Sequence, residues 1–186
     1  MSRESSKRMI KESYGRIVYS HKTHEKAMER LNRRIALVKW GNLLLIVLTF
    51  GGVLNAVFDG GPVSNLLTVF VSALALALAI YRMSFNPEKE ILEHRRTATK
   101  LWHLREEYAN LMADIWDGAL PEVETRRRRD DLTARLAQVY GDAPPTTSND
   151  YRRAQKALGH GEEMTFAKKE IDRFLPAELR DSSADP

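Results

Sequence analysis

The chain has 186 residues, no cysteine, 29% charged residues and a formal net charge of +4. That length supports one domain or a domain with an appendage. The missing thiols exclude disulfides and thiolate metal centres, and the basic balance suits an anionic partner such as a membrane surface or a nucleic acid.

The charge is segregated along the chain. The first 30 residues are rich in it and lack the apolar core of a cleavable secretory signal. Within them "RIVYSHKTHEKAMERLNRR", residues 16–34, belongs to a regular seam. Ile10, Tyr14, Ile17, His21, His24, Met28, Leu31 and Ile35 alternate steps of four and three, the heptad spacing of a helix that packs on another helix. A helix is expected from about residue 5, running on without interruption into the next segment. His21 and His24 on the seam suit packed, hydrogen-bonded imidazoles. A pH-sensitive joint is the second reading, because charging a packed imidazole disfavours the seam. A metal site would need Glu25 as a further ligand, and nothing else in the chain has ligand spacing.

Residues 40–58 and 60–81 carry no charge at all. The first, Trp40 to Phe58, would rise roughly 28 Å as a helix, close to the ~30 Å of a bilayer's hydrocarbon. The second helix is expected from about Pro62, a residue suited to a first turn because it has no N–H to leave unsatisfied. "DGG" between them is a turn signature, so the two helices must run antiparallel. The reading is a transmembrane hairpin over residues 40–81, with spans at about 40–58 and 62–81. The competing reading is two buried helices of a soluble bundle, but soluble helices keep a polar face.

Lys22, Lys26, Arg30, Arg33, Arg34 and Lys39 precede the first span, and Arg82, Lys89, Arg95, Arg96 and Lys100 follow the second. The turn holds only Asp59. The positive-inside rule therefore predicts both termini in the cytoplasm, with Trp40 and Tyr81 as interfacial anchors at one level. Inside the spans Asn42, Thr49 and Asn55, and Asn65, Thr68 and Ser72, form small and polar stripes. They suit close helix packing within the membrane or the lining of a pore built by several subunits.

Residues 82–141 predict a helical hairpin. "NPEKE" restarts a helix with Asn86 as cap and Pro87 in the first turn, and the helix should stop at Gly118. Its seam is Thr97, Leu101, Leu104, Tyr108, Leu111 and Ile115, flanked by Trp102, Met112 and Trp116, a face too broad for one partner helix. A further helix is expected from Pro121 to Gly141, burying Leu132, Leu136, Val139 and Tyr140. Its Arg126–Arg129 run reads as a solvated turn partnered by Glu122, Glu124, Asp130 and Asp131, or else as a contact for anionic lipid or RNA. With no aromatic interleaving, direct nucleic-acid binding is not expected. Residues 142–180 hold the linker "DAPPTTSND", a short helix from about Asp150 to Leu158, and another capped by Thr165 and reaching about Phe174. The tail 181–186 is expected to be disordered. The fold class is all-α: long amphipathic helices, a two-helix transmembrane hairpin and a short-helix C-terminal region.

Catalytic arrangements are missing. There is no glycine-rich phosphate loop, G-x-S-x-G, H-E-x-x-H or paired-cysteine motif, so we expect neither an enzyme nor a cofactor.

The run "RIVYSHKTHEKAMERLNRR" leading into the first span resembles the N-terminal signature of the SLATT family, the SMODS- and SLOG-associating two-transmembrane effector domains. "DAPPTTSNDYRRAQKALGHGEEMTFAKKEIDRFLPAELR", residues 142–180, resembles the C-terminal signature of one subfamily. With the hairpin between them, the resemblance spans about residues 8–180. It implies an effector of bacterial conflict and anti-phage systems that forms homo-oligomers and permeabilises the inner membrane. It also implies a nucleotide-generating, sensor or reverse-transcriptase partner encoded nearby. On this view Ile17, His21, His24, Met28 and Leu31 act as the gate seam. The rival is a membrane-anchored adaptor that recruits a soluble partner through residues 151–175 and conducts nothing.

Overall fold

The computed structural model describes residues 3–84, 87–159 and 170–171. Five α-helices follow one another: α1 (Arg3–Asp59), α2 (Pro62–Ser84), α3 (Pro87–Trp116), α4 (Glu122–Asp142) and α5 (Ser148–Gly159). Among the described residues there is no strand, as the all-α reading required.

The spine is α1, 57 residues without a break, about 85 Å at 1.5 Å per residue. Gly15, Gly41, Gly51 and Gly52 fall inside it, yet it stays helical throughout. α2 and α3 line α1 in turn, both antiparallel to it. His21 lies opposite Ala98 and His24 opposite His94. Further along, Arg34 meets Tyr81, Gly52 meets Thr68 and Asn55 meets Ser64. Each step forward in α1 is matched by a step back in its partner, which is the hairpin the DGG turn demanded.

The charged half of α1 packs on α3, and α4 completes that core. Ile10 and Ile17 meet Leu101, Leu104, Tyr108, Leu111 and Ile115, with Leu132, Leu136 and Val139 of α4 closing the cluster. All six expected seam residues of α3 are buried. Met112 packs against the core, whereas Trp102 and Trp116 remain exposed. Tyr140 also differs from expectation: it is exposed, because its hydroxyl reaches outward to Ser20, 3.1 Å away, rather than into the core.

The helix ends follow local chemistry. Gly118 has φ +70 and ends α3, with the Ala119 N–H donating to the Asp114 carbonyl, a Schellman-type stop. α5 begins at Ser148, two residues before the expected start, because Thr147 is its cap. The Thr147 N–H donates to Asp150 Oδ2 at 3.0 Å and the Asp150 N–H to Thr147 Oγ1 at 3.2 Å, a reciprocal capping box. The expected Asn86 cap, the tail 181–186, and all but residues 170–171 of the expected helix from Thr165 to Phe174 lie outside the described residues.

The uncharged halves have no protein cover. α1 and α2 are each long and apolar enough to cross a membrane, with mean hydropathy 1.9 and 2.2 over their most apolar windows, and nothing in either window is buried. Phe50, Phe58, Val63, Leu66 and Phe70 are among many large apolar side chains left exposed. Each forgoes roughly 1.5–3 kcal/mol if left in water. A soluble bundle would have to cover them, and no described helix does.

Candidate functional site in the membrane hairpin and the joint beside it

Two groups of side chains carry features beyond core packing. The first lies in the hairpin. Asn42 and Thr49 of α1, and Thr68 and Ser72 of α2, are half-buried. Gly52 sits so close to Thr68 that a Cβ there would strike the Thr68 side chain. This is the close approach that small residues permit between membrane helices. The hydroxyls of Thr68 and Ser72 donate along their own helix, to the carbonyls of Ser64 at 2.9 Å and Thr68 at 2.8 Å. Their polarity is therefore satisfied without a partner helix. Asn55 and Asn65 are exposed near the turn; Asn55 donates to the Ser64 hydroxyl, and Asn65 to the Gly60 carbonyl at 3.4 Å. The Thr49 hydroxyl is buried and has no hydrogen-bond partner among the described residues.

The second group is the joint between α1 and α3. Ile17 and Leu31 are fully buried and Met28 half-buried. Between them stand three imidazoles. His21 Nδ1 lies 2.9 Å from the Ala98 carbonyl and must donate to it, since that oxygen only accepts. Its Nε2 faces the Glu25 carboxylate at 3.4 Å. The Glu25 carboxyl is held down at about 2, first by the His21 hydrogen bond, then by Lys22, against the opposing pull of burial.

His24 Nδ1 lies 2.8 Å from His94 Nδ1. One of these nitrogens donates and the other accepts, so the contact cannot survive with both rings doubly protonated. Burial pushes His24 down to about 4, aided by His94 and His21 and opposed by Asp150. His94 is completely buried, and burial lowers it too; Arg30 adds to this, while Glu90 and Asp150 pull the other way. Its Nε2 is 3.8 Å from Glu90, beyond hydrogen-bond length.

α5 clasps the same stretch of α1. Asp150 is fully buried and accepts from Arg30 Nε at 3.0 Å, Arg153 reaches Glu29 at 2.8 Å, and the Tyr19 and Tyr151 rings lie 6.0 Å apart. Burial works against the Asp150 carboxylate, but hydrogen bonds from Thr147 and Arg30 hold it below its usual range. Beyond the joint, Trp40 is exposed and the Arg34 guanidinium donates to the Tyr81 hydroxyl while lying 5.8 Å over its ring.

The arginine run on α4 is paired: Arg126 with Glu122, Arg127 and Arg128 with Glu124, Arg128 also with Asp114, and Arg129 with Asp130; Arg127 and Arg128 are exposed, whereas Arg129 is mostly buried and also donates to the Ser6 hydroxyl at 3.2 Å. Among the described residues no three His, Cys, Asp or Glu side chains gather as a metal ion would need.

Sequence reasoning missed His94 and Asp150. Both had signals. His94 continues the α3 seam backward from Thr97 by a step of three, and Thr-x-x-Asp at 147–150 spells a capping box.

No curated protein and no solved structure matches this chain. One family profile does, over residues 7–170: SMODS and SLOG-associating 2TM effector domain family 4. The matched stretch takes in nearly all of α1 and the whole of α2 to α5. A profile for a two-transmembrane domain, laid over two uncovered apolar helices and the charged bundle that continues them, makes this a membrane protein that belongs to the SMODS and SLOG-associating two-transmembrane effector domain family.

Proposed function

We propose that this chain is a non-enzymatic effector of a bacterial conflict or anti-phage system. It resides in the inner membrane with both termini cytoplasmic, oligomerises, and lets its hairpins form or gate a pore. The observation that carries the proposal is the hairpin itself: two apolar helices without protein cover, joined along a small and polar seam. Two helices cannot enclose a channel, so a conduit requires several copies. Asn42, Thr68 and Ser72 are only half-buried in the single hairpin, which leaves part of each outside the α1–α2 contact and free to face a lumen; the Thr49 hydroxyl is buried, so Thr49 would reach a lumen only if the hairpin rearranged. Asn55 and Asn65 would stand at its mouth, beside the turn. The orientation rests on the clustering of lysine and arginine outside both spans at the same end. The trigger would come from a nucleotide-generating, sensor or reverse-transcriptase partner and reach the hairpin through the joint at Ile17, His21, His24, Met28 and Leu31.

Purified protein in dye-loaded liposomes should leak its dye. Thr68→Leu and Ser72→Leu fill the seam and should reduce leakage while assembly, followed by cross-linking, stays intact. Full leakage in both variants would remove these residues from the lumen. A wild-type protein that assembles, leaks nothing and captures a soluble partner would instead make the chain an adaptor. Protease digestion of either terminus in intact spheroplasts would reverse the orientation.

A further inference from the structure

A cavity of about 340 Å³ opens where the spans meet the extramembrane helices. Three elements build it: the end of the charged half of α1, the last turn of α2 and the first turn of α3. Its lining is graded. Val38 and Ala79 lie about a turn nearer the membrane than Arg34 and Arg82, by the 1.5 Å rise of each helix. The membrane end of the cavity is therefore apolar, and the outer end carries two guanidinium groups with Glu88 as the one carboxylate. Tyr81, an aromatic of the kind that settles at the headgroup level, lines the wall and accepts from Arg34.

We propose that this cavity is a binding site for one anionic phospholipid, its phosphate on Arg82 and Arg34 and the start of an acyl chain along Val38 and Ala79. An apolar ceiling above paired arginines at headgroup depth fits an amphiphile better than a free anion, which would gain nothing from the ceiling. Arginine is suited to this role because its planar fork matches phosphate oxygens. Basic pockets between membrane helices take such headgroups. Pro87 and Glu88 also line the site, so a bound lipid would touch the start of α3 as well as the end of the span. The inference rests on the membrane placement of the hairpin and is independent of pore formation.

The test uses full-length protein purified in detergent and examined by native mass spectrometry with added phosphatidylglycerol or phosphatidylcholine of the same acyl chains. The expected result is one phosphatidylglycerol retained per chain, in clear preference to phosphatidylcholine. Arg34→Gln and Arg82→Gln should each weaken that retention about fivefold, from the energy one basic residue contributes near an anionic surface. Arg33→Gln, one residue from Arg34, and Lys39→Gln, five residues nearer the membrane, remove charge outside the cavity and should leave it unchanged. Equal retention of the two lipids, or equal losses from all four substitutions, overturns the site in favour of general surface attraction. Displacement of the lipid by millimolar inorganic phosphate overturns it in favour of a free anion. Release of the protein from membranes by carbonate would overturn the membrane placement, and the site with it; the other outcomes leave that placement standing.

Discussion

Acidification should weaken this fold before its lowered carboxylates lose their ion pairs, and the histidine pair sets the size of the effect. His24 ionises at about 4 in the folded chain and near 6.5 when free. A histidine with a lowered pKa is stabilised in its neutral form. Its contribution is complete above pH 6.5 and is lost as pH falls toward 4, because the unfolded chain then binds the proton that the folded one refuses. At pH 5.0 the chain is one and a half units below 6.5, which at 1.36 kcal/mol per unit is a loss of about 2 kcal/mol. His94 shifts in the same direction and adds to it. Four charged or titratable groups surround the pair: Arg30 from α1 and Glu90 from α3 face His94, Asp150 from α5 faces both rings, and His21 faces His24. Glu25 and Asp150 are lowered carboxylates, so their contributions are lost only below about 4.5, outside the window. The assay is thermal unfolding in detergent or nanodiscs, followed by far-ultraviolet dichroism, at pH 7.5 and 5.0. For a chain of this size about 2 kcal/mol lowers the midpoint by roughly 4–8 °C. The variant His24→Leu/His94→Leu should lose most of that pH dependence. Equal wild-type midpoints at the two pH values, or the same drop in the double variant, would refute the reasoning.

Four further outcomes are expected. Gly52→Val places branches where Thr68 already sits, so the hairpin must open; about 1–3 kcal/mol of stability should be lost, read as a lower unfolding midpoint in detergent. Asp150→Ala removes both the capping box and the partner of Arg30, at about 3–5 kcal/mol for a broken buried pair; limited proteolysis should then cut between α4 and α5, and intact digestion kinetics would refute the clasp. Arg135 holds Glu107 with two bonds of 2.5 Å, but on an exposed surface, so Arg135→Ala should change stability by no more than about 1 kcal/mol. Replacing the exposed pair Ala36 and Leu37 with two glycines should cost about 2 kcal/mol of helix stability and leave assembly intact while uncoupling the joint from leakage; undiminished triggered leakage would show that α1 is not the lever.

The fold was readable where one physical rule acted alone. Absence of charge over a membrane's thickness marked α1 and α2, and a three-and-four step marked the seams of α1 and α3 from Ile10 to Leu31 and from Thr97 to Ile115. Gly118 stopped its helix because a left-handed residue was needed there. Where two rules competed, reading was poorer. Tyr140 had the spacing of a buried residue, but its hydroxyl finds Ser20 at the surface, and spacing says nothing about where a phenol's polar end is satisfied. His94 has only a step of three before Thr97 to mark it. Its partner lies 70 positions away, and only the antiparallel register of α1 and α3 brings the rings together. Asp150 reads locally as a cap, and its second role depends on Arg30, 120 positions earlier.

These long-range pairings share one geometric cause. Because α1 is unbroken from Arg3 to Asp59, every element that touches it is placed on a single ruler. His24 and Asn42 lie 18 residues apart on that ruler, about 27 Å along the axis. A helix transmits tilt and rotation over that distance far better than a loop. The imidazoles, the Asp150 clasp and the arginine-lined cavity all act on the stretch of α1 between His21 and Val38, just before it enters the apolar segment. Under the proposed function, a change in any of them would re-aim the same rod whose far end holds Gly52 against Thr68 of α2. That is the mechanical reason to look for the trigger at the joint rather than in the spans. The spans' hydroxyls at Thr68 and Ser72 are already satisfied within their own helix and have little to gain from rearranging. The histidine pair keeps its Nδ1–Nδ1 hydrogen bond while at most one ring is doubly protonated and loses it when both are.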